Sequence, residues 1–172
     1  MTQTQTLAEP RTHTFSWTDP AVHAAALGVR TGLETLQAMA SGELPPPPVM
    51  SMLGEGTFAV EEGTVVVELV PREFHYNPLG SVHGGVIATL LDTAAACAVH
   101  STLPAGIGYT SLDLSTRFIR PASVASGLLR CEGTVISRGR RTAVAQSQLT
   151  DARGALLAHA TTTCLIFEMP SR

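Results

Sequence analysis

The chain has 172 residues, a formal net charge of −3, 44% apolar residues and 15% charged ones. These totals fit one globular domain with a core of its own, and no basic block points to nucleic acid or to an anionic membrane. All eleven basic residues are arginine, which excludes Schiff-base chemistry on lysine and a Walker-type phosphate loop.

Cys97, Cys131 and Cys164 are odd in number and widely spaced, without a CxxC pair. Reduced thiols and a cytoplasmic location are therefore expected rather than a disulfide framework or a cysteine zinc site. No G-x-S-x-G, H-E-x-x-H or G-x-G-x-x-G occurs. The opening "MTQTQTLAEPRTHTF" lacks the charged start and apolar run of a signal peptide.

In chain order, residues 1–14 are polar and predicted to be disordered. Residues 15–53 form a helix and a proline-rich connector. The helix is predicted from Asp19-Pro20 to Ser41-Gly42, with Val22, Ala26, Val29, Leu33, Leu36 and Ala40 at three-and-four spacing along one apolar stripe. Pro45 to Pro48 then read as a stiff extended segment. The main domain is placed at 54–168. It opens with two strands around the Glu62-Gly63 turn, and a nearly all-apolar helix follows from Gly85 to Ser101. "GYTSLDLSTRFIRP", "GLLRCEGTVISRG", "RRTAVAQSQLTDARG" and "ALLAHATTTCLIFE" read as long strands, with Asp151 to Gly154 as a hairpin turn. In the first of them Leu112, Leu114 and Phe118 alternate with polar residues, which predicts one buried face. The fold class expected is α+β, an antiparallel sheet of about six strands wrapped around a central helix, with an extra N-terminal helix. The apolar run Val86 to Val99 is too short for a membrane span and is interrupted by Asp92.

Asp92 is the feature with chemical content. Between His83 and His100 it is the one ionisable side chain besides the thiol of Cys97, and a carboxylate among apolar residues is costly unless paired or used. "HGG" precedes the helix, so Gly84 and Gly85 sit where the first backbone N–H groups lack intrahelical partners, and glycine lets a ligand approach them. Such a tip can bind a carbonyl oxygen as it becomes an oxyanion. Gly84 and Asp92 are about 12 Å apart along a helix, too far to act on one carbonyl from a single chain. Two helices lying antiparallel across a two-fold axis could supply both groups, which points to an isologous homodimer with paired sites.

"NPLGSVHGG", the aspartate inside the following apolar helix, and the strand ending "RFIRPA" together resemble the hotdog-fold thioesterases, specifically the phenylacetate-pathway (PaaI-type) acyl-CoA thioesterase group. The resemblance covers roughly 54–167. It implies a sheet wrapped around a helix, a homodimer that is often a dimer of dimers, and hydrolysis of acyl-CoA at the subunit interface, with no cofactor beyond the CoA of the substrate. It also implies roles: Asp92 as the catalytic carboxylate, acting as general base or as nucleophile, Gly84 as the backbone donor, and Asn77 and His83 as polar residues flanking the site. Ser111 would be a hydroxyl holding water, with Thr110 as its substitute if the register shifts by one.

CoA carries phosphates, and "SRGRRT" offers the forked donors of Arg138, Arg140 and Arg141 around Gly139, or else a merely solvated turn. Arg117 and Arg120 read as strand-edge charges. His83, Asp92 and His100 spread over more than about 20 Å of helix, so no metal site is expected. Cys97 and His100, at i and i+3, could mimic a nucleophile–base pair, although alanine-rich surroundings favour an inert thiol. A rival of another class is a non-catalytic acyl-CoA-binding module, which would keep the pocket and lack the carboxylate. A hotdog hydratase would carry an Asp/His pair on one loop, and none is present. The acyl group is left open between aromatic, short-chain and medium-chain.

Overall fold

The computed structural model describes residues 9–54 and 56–169. Residues 1–8 of the tail predicted to be disordered lie outside that range. Within its remainder, Arg11 pairs with Glu73, and the ring of His13 stacks on Phe74 with 3.9 Å between centroids.

The single helix expected over 19–42 is two helices, α1 (Ala21–Leu27) and α2 (Gly32–Ala40). Thr31 makes the break. Its backbone is extended, its hydroxyl accepts the Glu34 N–H at 3.2 Å, and the Glu34 carboxylate accepts the Thr31 N–H at 2.8 Å. This reciprocal capping box gives α2 its own start, where a continuous helix would have had to bury those groups differently. Gly32 then lies on the back of the main domain. A Cβ there would stand 1.7 Å from the His100 carbonyl oxygen, and the Gly32 N–H donates to Leu103 at 2.9 Å. The apolar stripe therefore splits: Leu36 is wholly buried, while Val22 and Val29 are exposed. The proline run also departs from a pure connector. Pro48 opens a short helix, α3 (Pro48–Leu53), at the position where a missing N–H costs nothing.

The sheet is antiparallel throughout. Its strands are β1 (Phe58–Glu61), β2 (Thr64–Leu69), β3 (Ile107–Ser111), β4 (Ser115–Phe118), β5 (Leu129–Arg138), β6 (Thr142–Thr150) and β7 (Leu156–Glu168). The order is β1-β2-β5-β6-β7-β3, with β4 also on β7. The expected six strands are therefore present, with β3 and β4 as two parts of one edge. Helix α4 (Gly84–Ser101) packs against β2, β5, β6 and β7, so the sheet curls around it. Leu69, Leu90, Leu91, Leu129 and Leu149 fill the space between them at 0–1% exposure, each burial worth about 1.5–3 kcal/mol. The closest approach is at Gly133 on β5, where a Cβ would fall 2.2 Å from the backbone of Ala94. Glycine there lets the helix backbone rest on the sheet. By length and composition α4 could also cross a membrane, yet 61% of it is buried, as befits a core helix.

The edge strand corrects one expectation. Ser111 faces Cys164 and Ser115 faces Thr161, so four steps on the edge match three on β7. One residue is extra, and the inward–outward alternation flips across it. Asp113 holds the irregularity, its carboxylate accepting the Thr163 N–H at 3.1 Å and its carbonyl the Thr162 hydroxyl at 2.6 Å. Phe118, paired with the buried Ala158, shares the concave face with Ser111, whereas Leu112 does not. Leu112 and Phe118 are 59% and 57% exposed, so the buried face expected of this strand is not covered within one chain.

Candidate active site

The loop before α4 is shaped by its own polar groups. Asn77 accepts the N–H groups of Leu79 at 2.9 Å and Ser81 at 3.3 Å, and its amide donates to the Ser81 hydroxyl at 3.0 Å. Tyr76 bridges to Val82, and the His83 N–H donates to the His75 carbonyl at 2.8 Å. Asn77 thus folds the turn that delivers the chain to the helix tip.

His83 is the N-cap. Its Nδ1 accepts the Gly85 N–H at 2.8 Å, and its carbonyl accepts those of Val86 at 2.9 Å and Ile87 at 3.2 Å. A helix begins with four N–H groups that have no partner inside it. Here three are satisfied by His83, and that of Gly84 has no acceptor among the described residues. The cap leaves one donor free at the positive end of the helix dipole. The ring of Phe118 stands next to it, 3.2 Å from where a Gly84 Cβ would be.

Asp92 lies further along α4. It is half-buried and faces an open cleft shared with Thr89, Ser111, Asp113 and Leu114, so the sealed apolar setting read from its neighbours does not hold. Ser111 donates its hydroxyl to Asp92 Oδ1 at 2.8 Å. Thr110 is exposed on the other face of β3 and makes no such contact. Because α4 runs unbroken from Gly84 to Ser101, the Gly84 amide and the Asp92 carboxylate stay about 12 Å apart along one helix. One chain brings Asp92 to Ser111 and His83 to Gly85, but not the two groups to each other.

The arginine turn joins β5 to β6 and is closed by the Gly139 N–H on Thr142 at 2.8 Å. Arg138, Arg140 and Arg141 are exposed and line an open depression with Leu165 and Phe167. Arg141 accepts the Ile166 N–H at 2.8 Å, and Ile166 faces Tyr109 across the sheet. The turn therefore ends level with β3, one strand removed from Ser111. Arg117 and Arg120 donate to the Thr116 and Leu156 carbonyls, as strand-edge charges do.

Cys97 and His100 do not pair. The Cys97 sulfur approaches the Tyr109 hydroxyl at 3.9 Å, and the His100 ring packs on Tyr109 with 4.9 Å between centroids. Burial pushes the thiol up to about 11 and the imidazole down to about 4, so both are neutral at pH 7 and the thiol is inert.

Two features were missed from the sequence. Phe118 reaches Gly84 only because of the extra residue in the edge strand, which leaves no compositional mark. The other is a cavity between the N-terminal helices and the main domain, lined by Met39, Pro47, Met50 and Cys97 among others. The methionines and prolines of "QAMASGELPPPPVMSML" were its visible signal.

Residues 79–158 match the family model described as the thioesterase superfamily. Human acyl-coenzyme A thioesterase 13 is 31% identical over 97 residues, which are 56% of this chain and 68% of that protein.

The chain belongs to the thioesterase superfamily.

The crystal structure of a phenylacetic acid degradation-related protein from Ralstonia eutropha matches with 34% identity and a TM-score of 0.68, over 76% of this chain and 98% of that one. A Streptococcus mutans protein solved with acetyl-CoA matches with 25% identity and a TM-score of 0.61, over 68% and 92%. The curled sheet around α4 is thus the hotdog fold of this superfamily, in its PaaI-like branch.

Proposed function

We propose that the protein hydrolyses acyl-CoA thioesters to a free acid and CoA, at a site that two copies of the chain complete together. The observation that carries this reading is the cap of α4, which satisfies every early amide of the helix except that of Gly84. A thioester carbonyl is the acceptor that this donor fits, and the donor gains strength as negative charge develops on the oxygen. The second protomer would lay its α4 antiparallel to the first, with Asp92 of the partner subunit facing the carbonyl carbon. Its cover would also bury the exposed Leu112 and Phe118.

Ser111 occupies one carboxylate oxygen of Asp92, which holds the group in place and leaves the other oxygen toward the cleft. That oxygen takes a proton from water as the water attacks the carbonyl carbon. The tetrahedral intermediate then collapses, the carbon–sulfur bond breaks, and the CoA thiolate recovers a proton. Arg138, Arg140 and Arg141 stand at the open end of the sheet as partners for the CoA phosphates. Human acyl-coenzyme A thioesterase 13 and the Streptococcus mutans protein bound to acetyl-CoA support the substrate class by their names.

Release of free thiol from a panel of CoA esters tests the reading. Steady hydrolysis by a dimer or larger assembly is expected. Tight CoA-ester binding with no thiol release would favour the non-catalytic binding module, and full activity in a monomer would remove the two-chain site.

A further inference from the structure

The cavity beside α4 has no part in the account so far. It lies between the N-terminal helices, the β1–β2 hairpin and one flank of α4, with a volume of about 170 Å³. Met39 of α2, Pro47 just before α3, Met50 within it, Phe58 of β1 and Leu69 of β2 form its walls, and Cys97 lies on the α4 side. Thr93, the residue after Asp92, lines the same cavity. Cys97 stands five residues beyond Asp92, about 7.5 Å of helix rise. The space therefore runs along the flank of α4 from Thr93, one residue past Asp92, to Cys97, toward the C-terminal end of the helix.

We infer that this cavity receives the acyl group, and that Met39, Met50 and Cys97 limit it to an uncharged group of about one ring or a short chain. The inference rests on the thioesterase reading and names its substrate class. Size is the first argument. An apolar protein cavity of about 150 Å³ holds a benzene molecule, so 170 Å³ suits a single ring or a few methylenes and not a long fatty chain. Charge is the second. Among the described lining residues Glu68 is the lone carboxylate, hydrogen-bonded to Thr57 at the rim, and none is an arginine or a histidine. An acyl group ending in a carboxylate would enter without a counter-ion and meet a like charge. Chemistry of the walls is the third. Methionines adapt their shape at little cost, so two of them on separate helices can close around flat or flexible groups of similar volume.

The test is a profile of kcat/KM across acetyl-, hexanoyl-, benzoyl-, phenylacetyl-, succinyl-, decanoyl- and palmitoyl-CoA. The wild type should favour the hexanoyl, benzoyl and phenylacetyl esters at least tenfold over the succinyl and palmitoyl ones. The double variant Met39→Ala/Met50→Ala should raise the decanoyl-to-benzoyl ratio at least tenfold. Cys97→Phe should lower the benzoyl-to-acetyl ratio by a similar factor, and the use of ratios separates a filled cavity from a partly unfolded sample. Ratios unchanged in both variants, or a wild-type optimum at palmitoyl-CoA, would overturn the inference. If the wild type releases no thiol from any ester, the thioesterase reading fails instead. The cavity is then judged by calorimetry with benzoyl- and decanoyl-CoA, where equal affinities in wild type and variants would refute it.

Discussion

The two halves of α4 are built from similar residues and live in different surroundings. From Gly84 to Thr93 only Ile87, Leu90 and Leu91 are buried, whereas from Ala94 to Ser101 every residue but Cys97 is. The rear half is enclosed by β5, β6 and the Gly32 turn of the N-terminal region. The front half turns one apolar side to the sheet and leaves Gly84, Thr89 and Asp92 facing outward. Apolar composition alone says that a helix is covered; the contrast shows that one half is covered by its own chain and that the other is left partly open by it. Stability and chemistry should therefore respond to different halves of one element.

The sharpest way to break that contrast is Asp92→Asn. It should lower kcat by about 10²–10⁴, the usual worth of a positioned base, with little change in melting temperature. A large loss of stability would mean that the carboxylate holds the fold instead. Gly133→Ala addresses the rear half, because its methyl group would meet the Ala94 backbone at 2.2 Å. We expect a loss of about 3 kcal/mol in chemical denaturation, with kcat per folded molecule unchanged.

Acid provides a third probe of the rear half. Burial lowers His100 to about 4 in the folded chain, against 6.5 for a free imidazole. The unfolded chain then binds more protons between those values. The stabilisation is complete above pH 6.5 and is lost as the pH falls toward 4, by about 3 kcal/mol from this residue. His100→Gln should flatten that part of the stability–pH curve. The smallest effect belongs to a site remote from both halves: Arg140→Glu with Arg141→Glu should raise KM for CoA esters about tenfold and leave kcat nearly unchanged. An unaltered KM would remove the turn from the substrate path.

Much of this was legible in the sequence. The β1–β2 hairpin and the buried helix with its glycine start follow from local pattern, whereas the place of Ser111 beside Asp92 came from the family resemblance. Three things were not. The break at Thr31 depends on a capping box whose value comes from what α2 packs against, not from the stripe of apolar residues. The flip at Asp113 adds one residue to an otherwise regular alternation, and alternation cannot say where an irregularity falls. Asp92 read as buried because its sequence neighbours are apolar, yet on a helix those neighbours point elsewhere. Periodicity reports that a face is sheltered and is silent about which body shelters it.

His75 ties these parts together in a way that bears on selectivity. Its two ring nitrogens engage the Leu53 carbonyl at the end of α3 and the Arg72 N–H, both at 2.8–2.9 Å, while its own carbonyl holds the N–H of His83. The wall that would gauge the guest and the cap that keeps the Gly84 donor free thus hang from one rivet. A guest too bulky to let that wall close would also disturb the donor, and would be refused twice, once for its fit and again for its rate.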